Sequence, residues 1–272
     1  GISNTGAFTT AAAGDITAPG AVTQNGTGVN SLAGDITTTD SNITLSSATT
    51  LTDDVTLSTG TGAGTITLGD TIDSDATART LTLTAGTGNV VFEPGANVGS
   101  TVALASLAVT ATDITLRDVT TTGTQTYTAT GTIDTNSTYR SEGGAISFAG
   151  ATVINDALVI DTTANSAAGA TVTFGGTLDS QAGEANTVAI TAGTGNIDFD
   201  AAVGSATDGE LGAITINSAS TLTADSTIEA ASFTQSAGTV LSQFDGAIDL
   251  TGAFDFTGQA LTLNGAGNTV GG

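Results

Sequence analysis

Short segments in which apolar and polar residues alternate recur along the whole chain. In each, Val, Ile, Leu or Phe occupies every second position, and in most of them Thr or Ser lies between these residues. Such segments lie at 42–45, 54–57, 65–68, 81–84, 89–92, 145–148, 158–160, 171–174 and 261–263. Alternation with a period of two predicts a strand with one buried face and one hydrated face. No window has the i, i+3, i+4, i+7 apolar spacing of a helix, so the predicted fold class is all-β.

The sequence also repeats itself at two spacings. Residues 84–89, Thr-Ala-Gly-Thr-Gly-Asn, recur at 191–196, and related matches at offsets of 103 to 107 align about 43–116 with about 146–216. A shorter spacing also occurs, since residues 13–17 recur after 20 positions at 33–37. Two short strands fit into such an interval, which indicates stacked coils of about 20 to 25 residues.

These spacings predict a parallel β-helix, also called a β-solenoid, whose inward side chains form ladders from coil to coil. The alternative is a tandem array of β-sandwich domains of about 100 residues each, because strands every 8 to 12 residues are also typical of sandwiches. The absence of Trp, the presence of only two Pro and the small residues at the turns favour the solenoid. No Pro-rich or charge-rich linker occurs, so residues 1–272 are predicted to form a single continuous repeat region.

The composition narrows the possible functions. The chain carries 26 Asp and Glu against 3 Arg, for a net charge of −23, and has no Lys, His, Cys, Met or Trp. Without an imidazole, a thiolate or an ammonium group, most catalytic mechanisms lack their reactive group, so we expect neither an enzyme nor a bound organic cofactor. A polyanion repels nucleic acid, and no apolar stretch approaches the roughly 20 residues of a membrane span. We therefore expect neither nucleic-acid binding nor membrane insertion.

Paired carboxylates are the remaining candidates for chemistry. Asp53 and Asp54 are adjacent, and Asp198 and Asp200 would share one face of a strand. Two such groups can cleave a glycosidic bond, which makes a carbohydrate-binding or carbohydrate-cleaving β-helix an alternative function. Aromatic residues, which usually line a sugar-binding groove, make up only 4% of the chain. Solvated strand faces are therefore the favoured interpretation of these acids.

The densest acidic cluster is Asp70, Asp73 and Asp75. Calcium takes six to eight oxygen ligands and needs no nitrogen, so these three residues are the predicted calcium ligands. A calcium-stiffened surface-array protein is accordingly a further alternative function. The other acids most simply provide solubility and mutual repulsion.

Two other motifs have simpler interpretations. The Gly-rich segments 85–89 and 192–196 are predicted turns, because no Lys follows them and no helix begins there. Thr-x-Thr runs at 80–84 and 124–128 raise an ice-binding hypothesis, which requires such pairs in register on every coil. The run at 187–191 has Ala189 at the corresponding position. Thr is also a strong strand former on a hydrated face, and this structural interpretation of the Thr-x-Thr runs is favoured over ice binding.

Several segments together resemble one known repeat type: 84–92, 98–99, 104–107, 123–131, 143–150 and 158–160. They resemble the internal repeats of giant bacterial surface proteins, the filamentous-haemagglutinin-like, β-strand-repeat adhesins, over most of residues 40–265. The resemblance implies a secreted, elongated β-helical shaft at the cell surface with an adhesive or spacing function. It implies no catalytic residues.

The predicted function is therefore structural or adhesive. Neither residues 1–8 nor residues 264–272 resemble a polar cap, so the coils at either end are predicted to leave strand edges unpaired. The predicted partners are further copies of this chain in a head-to-tail polymer, or the rest of a larger repeat protein. A cell-surface or glycan receptor is a further expected partner.

Overall fold

The computed structural model describes residues 2–135 and 137–271. About 51% of the chain is strand, the described residues contain no helix, and parallel coils stack into about 13 solenoid turns. The predicted all-β, parallel β-helical fold is thereby confirmed, and the sandwich alternative is wrong, because sandwich domains pair their strands antiparallel. The chain groups into two compact units, residues 1–132 and 133–272. The single continuous region over 1–272 stays a prediction.

Unit 1 contains fifteen complete strands and the start of a sixteenth. They are β1 (Ile2–Asn4), β2 (Ile16–Ala18), β3 (Val22–Gln24), β4 (Asn30–Leu32), β5 (Ile36–Thr38), β6 (Ile43–Leu45), β7 (Thr49–Leu51), β8 (Val55–Ser58), β9 (Ile66–Leu68), β10 (Ile72–Ser74), β11 (Thr80–Thr84), β12 (Val90–Phe92), β13 (Ser106–Ala111), β14 (Ile114–Thr115), β15 (Val119–Thr121) and β16 (Gln125–Thr135).

Three parallel sheets form the sides of unit 1. Sheet 1A contains β2, β5, β8, β11, β13 and the start of β16. Sheet 1B contains β1, β3, β6, β9, β12 and β14, and sheet 1C contains β4, β7 and β10. Successive coils therefore add one short strand each to sheets 1A and 1B, and three of them also add one to sheet 1C, which is why the sequence shows such brief alternating segments.

Inward side chains form the predicted ladders. In sheet 1A, Leu57, Leu83, Val109 and Tyr127 are aligned in successive coils and all are buried. The Tyr127 hydroxyl donates to Gln125 Oε1 at 3.0 Å, so its polar end is satisfied inside the core. Burial of such a side chain favours the folded state by roughly 1.5–3 kcal/mol.

The first coils of unit 1 contain polar side chains in the core. Asn30 Nδ2 donates to Thr49 Oγ1 at 3.2 Å and to the Ser47 carbonyl at 3.1 Å, and Gln24 Oε1 accepts from the backbone N–H of Ser46 at 3.1 Å. Among the described residues, no buried side-chain nitrogen or oxygen lacks a hydrogen-bond partner. Since an unpaired buried polar group costs about 1–3 kcal/mol, this pairing makes the polar core tolerable.

Unit 2 contains the end of β16 and fourteen further strands. They are β17 (Thr138–Ser141), β18 (Ile146–Ile154), β19 (Leu158–Asp161), β20 (Val172–Phe174), β21 (Leu178–Ser180), β22 (Val188–Thr191), β23 (Ile197–Phe199), β24 (Leu211–Ala224), β25 (Ile228–Gln235), β26 (Gly238–Phe244), β27 (Ile248–Leu250), β28 (Phe254–Phe256), β29 (Leu261–Leu263) and β30 (Thr269–Val270).

Unit 2 is also built from three parallel sheets. Sheet 2A contains β17, β19, β22, β24, β25 and β28, and sheet 2B contains β18, β20, β23, β24, β26 and β29. Sheet 2C contains β18, β21, β25, β27 and β30, with Val203 bridging β21 to β25. The long strands β18, β24 and β25 each belong to two sheets, because their chain turns the corner without leaving strand geometry.

Aromatic residues concentrate in the core of unit 2. Phe148, Phe174 and Phe199 are aligned in β18, β20 and β23, and their rings stack with centroids 5.1 and 5.4 Å apart. Tyr139 packs edge-on against Phe148 with centroids 5.2 Å apart. Because the parallel register places the Phe of one coil directly above the Phe of the next, one Phe per coil is enough to make a continuous stack.

The Gly-rich segments are turns, as predicted. Gly86 and Gly193 have φ of +56° and +62°, and the turns close with hydrogen bonds from Gly88 to Ala85 at 2.7 Å and from Gly195 to Ala192 at 2.8 Å. Such positive φ values are readily adopted only by glycine. The sequence repeat therefore corresponds to one turn conformation that occurs once in each unit.

Candidate functional site

Many of the acidic and amide side chains at the strand starts connect one coil to the next. Asp35 Oδ1 accepts from the backbone N–H of Thr56 at 2.7 Å, and Asp54 Oδ1 accepts from that of Thr80 at 2.8 Å. In the same way, the side-chain oxygens of four further residues each accept from a backbone N–H group: Asp15 from Asp35, Asn42 from Thr65, Asn89 from Asp113, and Asp113 from Thr132. Each bond reaches the aligned residue of the following coil, so these side chains stabilise coil stacking as well as contributing charge.

The three predicted calcium ligands engage three different partners. Asp70 Oδ1 accepts from the backbone N–H of Thr71 at 2.7 Å. Asp73 Oδ1 accepts from that of Thr101 at 2.8 Å, and Asp75 is bonded to the Arg79 guanidinium. No group of three or more acidic side chains in the described part of the chain is arranged to hold a metal ion. The calcium assignment to Asp70, Asp73 and Asp75 stays a prediction.

Asp53 and Asp75 form an ion cluster with Arg79 in unit 1. The Arg79 guanidinium donates to both Asp75 oxygens, from Nε at 3.1 Å and from Nη2 at 3.0 Å, and its Nη1 lies 3.7 Å from Asp53 Oδ1. The hydrogen bond from Arg79, followed by one from the backbone of Thr77, lowers the pKa of Asp75 below its ordinary value. Asp75 is therefore a carboxylate held by a cation, which does not suit it to proton transfer at neutral pH.

Asp198 lies in β23, and Asp200 directly follows the end of that strand. Burial, followed by the charges of Asp198 and Asp225, raises the pKa of Asp200 above its ordinary value. The Thr223 hydroxyl donates to Asp198 Oδ1 at 2.6 Å. The aromatic residue between the two acids, Phe199, is buried in the core and offers no ring to a sugar. The charge of Asp198 is therefore a secondary cause of the raised pKa of Asp200, and the strand offers no exposed aromatic ring beside the two acids.

A shallow cavity of about 320 Å³ lies on the surface of unit 2. It is lined by Ala185, Glu210, Leu211, Glu229, Ala230, Ala231, Asp249 and Thr251. Its three acids form no motif in the sequence, because they are 19 and 20 residues apart and only the parallel register aligns Glu229 with Asp249. The mixture of carboxylates and small apolar side chains gives the cavity a negative rim.

In the final coil of unit 2, side chains are exposed at positions whose aligned partners in the preceding coil are buried. Leu261 and Leu263 are 37% and 46% exposed, whereas Ser242 and Phe244, which they pair with in β26, are each 1% exposed. Val270 of β30 is 50% exposed, and its partner Leu250 is 1% exposed. This last coil, β28 to β30, is therefore an open apolar layer with an unpaired strand edge.

Comparisons with known proteins return no relative for this chain. No family model, no curated protein and no solved structure matches it. Over residues 2–135 and 137–271, no helix has the length and apolar character that crossing a membrane requires. The functional inference therefore depends on the solenoid and its surfaces.

Proposed function

We propose that this chain is a structural segment of an extracellular bacterial filament or adhesin, in which the β-solenoid acts as a stiff shaft. The observation that carries the proposal is the open final coil of unit 2. Leu261, Leu263 and Val270 continue ladders whose preceding members are fully buried. A layer of this kind gains buried apolar area when another coil of the same type covers it, at about 25 cal/mol per Å².

The coil that covers this layer comes from a second copy of the chain, stacked head to tail, or from a longer repeat protein that contains it. Both supply the same chemistry, namely unpaired backbone N–H and C=O groups with alternating apolar side chains. The resemblance of the repeats to filamentous-haemagglutinin-like adhesins supports the extracellular location. The absence of Cys also suits export, since no disulfide can form prematurely.

The function is mechanical and not catalytic. Coil-stacking hydrogen bonds, such as those of Asp35 and Asp54, occupy carboxylates that could otherwise have served as acid or base. Adhesion to a glycan or cell-surface receptor would use the outer faces, because the inward faces are fully packed.

Sedimentation velocity at increasing protein concentration, together with electron micrographs of the particles, tests this proposal. We expect elongated oligomers to grow with concentration and Leu263→Lys to abolish them. The matched control is Thr262→Lys, which changes the opposite side of the same strand and should leave association intact. A wild-type chain that stays monomeric at every concentration would contradict association between copies.

A further inference from the structure

The outer face of sheet 1A carries a two-dimensional array of hydroxyl groups. Eight outward positions on β8, β11, β13 and β16 make up this array, which we call the hydroxyl face: Thr56, Ser58, Thr82, Thr84, Ala108, Thr110, Thr126 and Thr128. Seven of the eight bear a hydroxyl group and none is charged, although the chain has a net charge of −23. One column extends further, since Thr17 and Thr37 align with Ser58.

The register of the hydroxyl face is regular. Residues two apart on a strand lie about 6.6 Å apart, and aligned residues of successive coils lie about 4.8 Å apart. The three pairings among the four strands contain no register shift. Because Leu83, Val109 and Tyr127 anchor the alternate positions in the core, the outward side chains are held in place. β-Branching further restricts the Thr side chains at χ1.

Most of these hydroxyl groups have no partner inside the protein. Over the described residues, the side chains of Thr82, Thr84, Thr110, Thr126 and Thr128 make no intramolecular hydrogen bond. Inward hydroxyl groups behave differently: Thr59 donates to the Gly64 carbonyl at 2.9 Å, and Thr162 donates to that of Ala170 at 3.0 Å. The outward groups are therefore available as both donors and acceptors to an external surface.

We propose that the hydroxyl face binds the surface of ice. Ice presents a neutral, rigid lattice of water molecules that donate and accept hydrogen bonds at regular spacings, and the hydroxyl face likewise presents neutral donors and acceptors in a regular array. A pre-ordered array binds such a lattice with little loss of side-chain entropy. The Thr methyl groups between the hydroxyls add apolar contact. No aromatic ring lies on this face, which disfavours a sugar polymer as the ligand.

Among its eight positions the hydroxyl face is interrupted at Ala108, whereas no comparable array forms on sheet 2A of unit 2. There, the corresponding columns contain Val159, Asp161 and Ala189, and the register shifts between Ile190 and Thr191. The Thr-x-Thr runs at 80–84 and 124–128, by contrast, both belong to sheet 1A, where β13 lies between them.

The experiment measures partition of the whole chain into slowly growing ice and inhibition of ice recrystallisation. Wild type should concentrate in the ice and keep crystals small at micromolar concentration. Thr82→Lys combined with Thr110→Lys should reduce both signals to the level of a non-binding reference protein. The matched control, Thr44→Lys combined with Thr67→Lys, changes aligned outward Thr residues in sheet 1B and should behave as wild type.

Thermal unfolding of each variant, followed by circular dichroism, establishes that it is folded. Exclusion of folded wild type from ice overturns the proposal, and so does equal behaviour of the two double variants. Binding to cellulose that is lost in Thr82→Lys with Thr110→Lys, without any ice activity, overturns it in favour of a neutral polysaccharide. None of these results depends on whether the chain forms a filament.

Discussion

The carboxylate of Asp73 accepts a hydrogen bond from the backbone N–H of Thr101, 28 residues further along the chain, at 2.8 Å. The same oxygen accepts from Val102 at 3.2 Å, so Asp73 caps the loop of the following coil. Its counterpart in the long repeat, Asp179, accepts from Ala206 at 3.0 Å. One acid thus has the same structural role in both units.

Removal of this cap should destabilise unit 1. Asp73→Ala leaves two backbone donors without their acceptor, and we expect a loss of about 1 kcal/mol in the free energy of unfolding. Asp73→Asn keeps an accepting oxygen and should lose less. Urea denaturation measures both, and Asp70→Ala is the control, because Asp70 bonds only to its neighbour Thr71. Equal losses for Asp70→Ala and Asp73→Ala would contradict the capping role.

The calcium prediction can be tested on the same residues. Since Asp70, Asp73 and Asp75 already engage separate partners, we expect a chelator to leave the unfolding midpoint unchanged. Calorimetry with and without EDTA checks this. A midpoint that falls with EDTA, recovers with calcium, and no longer responds in Asp75→Asn would support a calcium site at this cluster.

Two aspartates of unit 2 should have opposite effects on pH-dependent stability. Burial, followed by the charges of Asp198 and Asp225, raises the pKa of Asp200 in the folded protein. The folded protein therefore holds a proton on this carboxyl group more tightly than the unfolded chain does, and the ionised carboxylate reduces stability above pH 3.8. Asp200→Asn should therefore raise the unfolding midpoint at pH 7, and this gain should shrink as the pH falls towards 3.8.

Asp245 provides the opposite case. Hydrogen bonds from Asn264, at 2.7 Å, and then from Gln243 lower its pKa in the folded state. Its stabilising contribution is present above pH 3.8 and is lost as the pH falls through the lowered value, so Asp245→Asn should lower the midpoint at pH 7. Thermal unfolding of both variants between pH 3 and 7 gives the comparison. Shifts of the same sign would refute the assignment.

The Phe stack of unit 2 should dominate its local stability. Phe174 lies between Phe148 and Phe199, so Phe174→Ala leaves a cavity and breaks two ring contacts. We expect a loss of about 3–5 kcal/mol and a smaller loss for Phe174→Leu. Chemical denaturation measures the change, and Thr173→Ala on the outer side of the same strand should stay within about 0.5 kcal/mol. A loss for Thr173→Ala as large as that for Phe174→Ala would argue against the stack.

Gly204 combines two constraints that can be separated. Its φ is +71°, and a Cβ atom added there would lie 2.0 Å from the Glu229 carbonyl oxygen. Gly183 has φ of +81° but no atom within 4 Å of such a Cβ. Gly183→Ala should cost only the backbone term of about 1–2 kcal/mol, whereas Gly204→Ala should cost clearly more. Unfolding midpoints of the two variants decide the matter, and equal values would rule out the clash.

The sequence by itself was sufficient to predict the all-β class, the parallel coils and the Gly-rich turns. Alternation, repeat offset and turn residues are local properties of the sequence. A solenoid repeats these properties in each coil, and its contacts are formed between neighbouring coils. Segments such as 42–45 and 171–174 form strands as expected, because each has a single apolar face that a strand can bury against the core.

Register was decided only by the tertiary structure. The coils differ in length, with aligned partners 18 residues apart from Leu107 to Gln125 and 30 apart from Leu158 to Val188, so sequence distance does not reveal which outward residues share a column. For that reason the engagement of Asp73 with Thr101, the cavity beside Glu229 and the hydroxyl face emerged only when backbone pairing aligned the coils. Inward residues are constrained by packing and can be recognised from sequence, whereas outward residues acquire neighbours only through the fold.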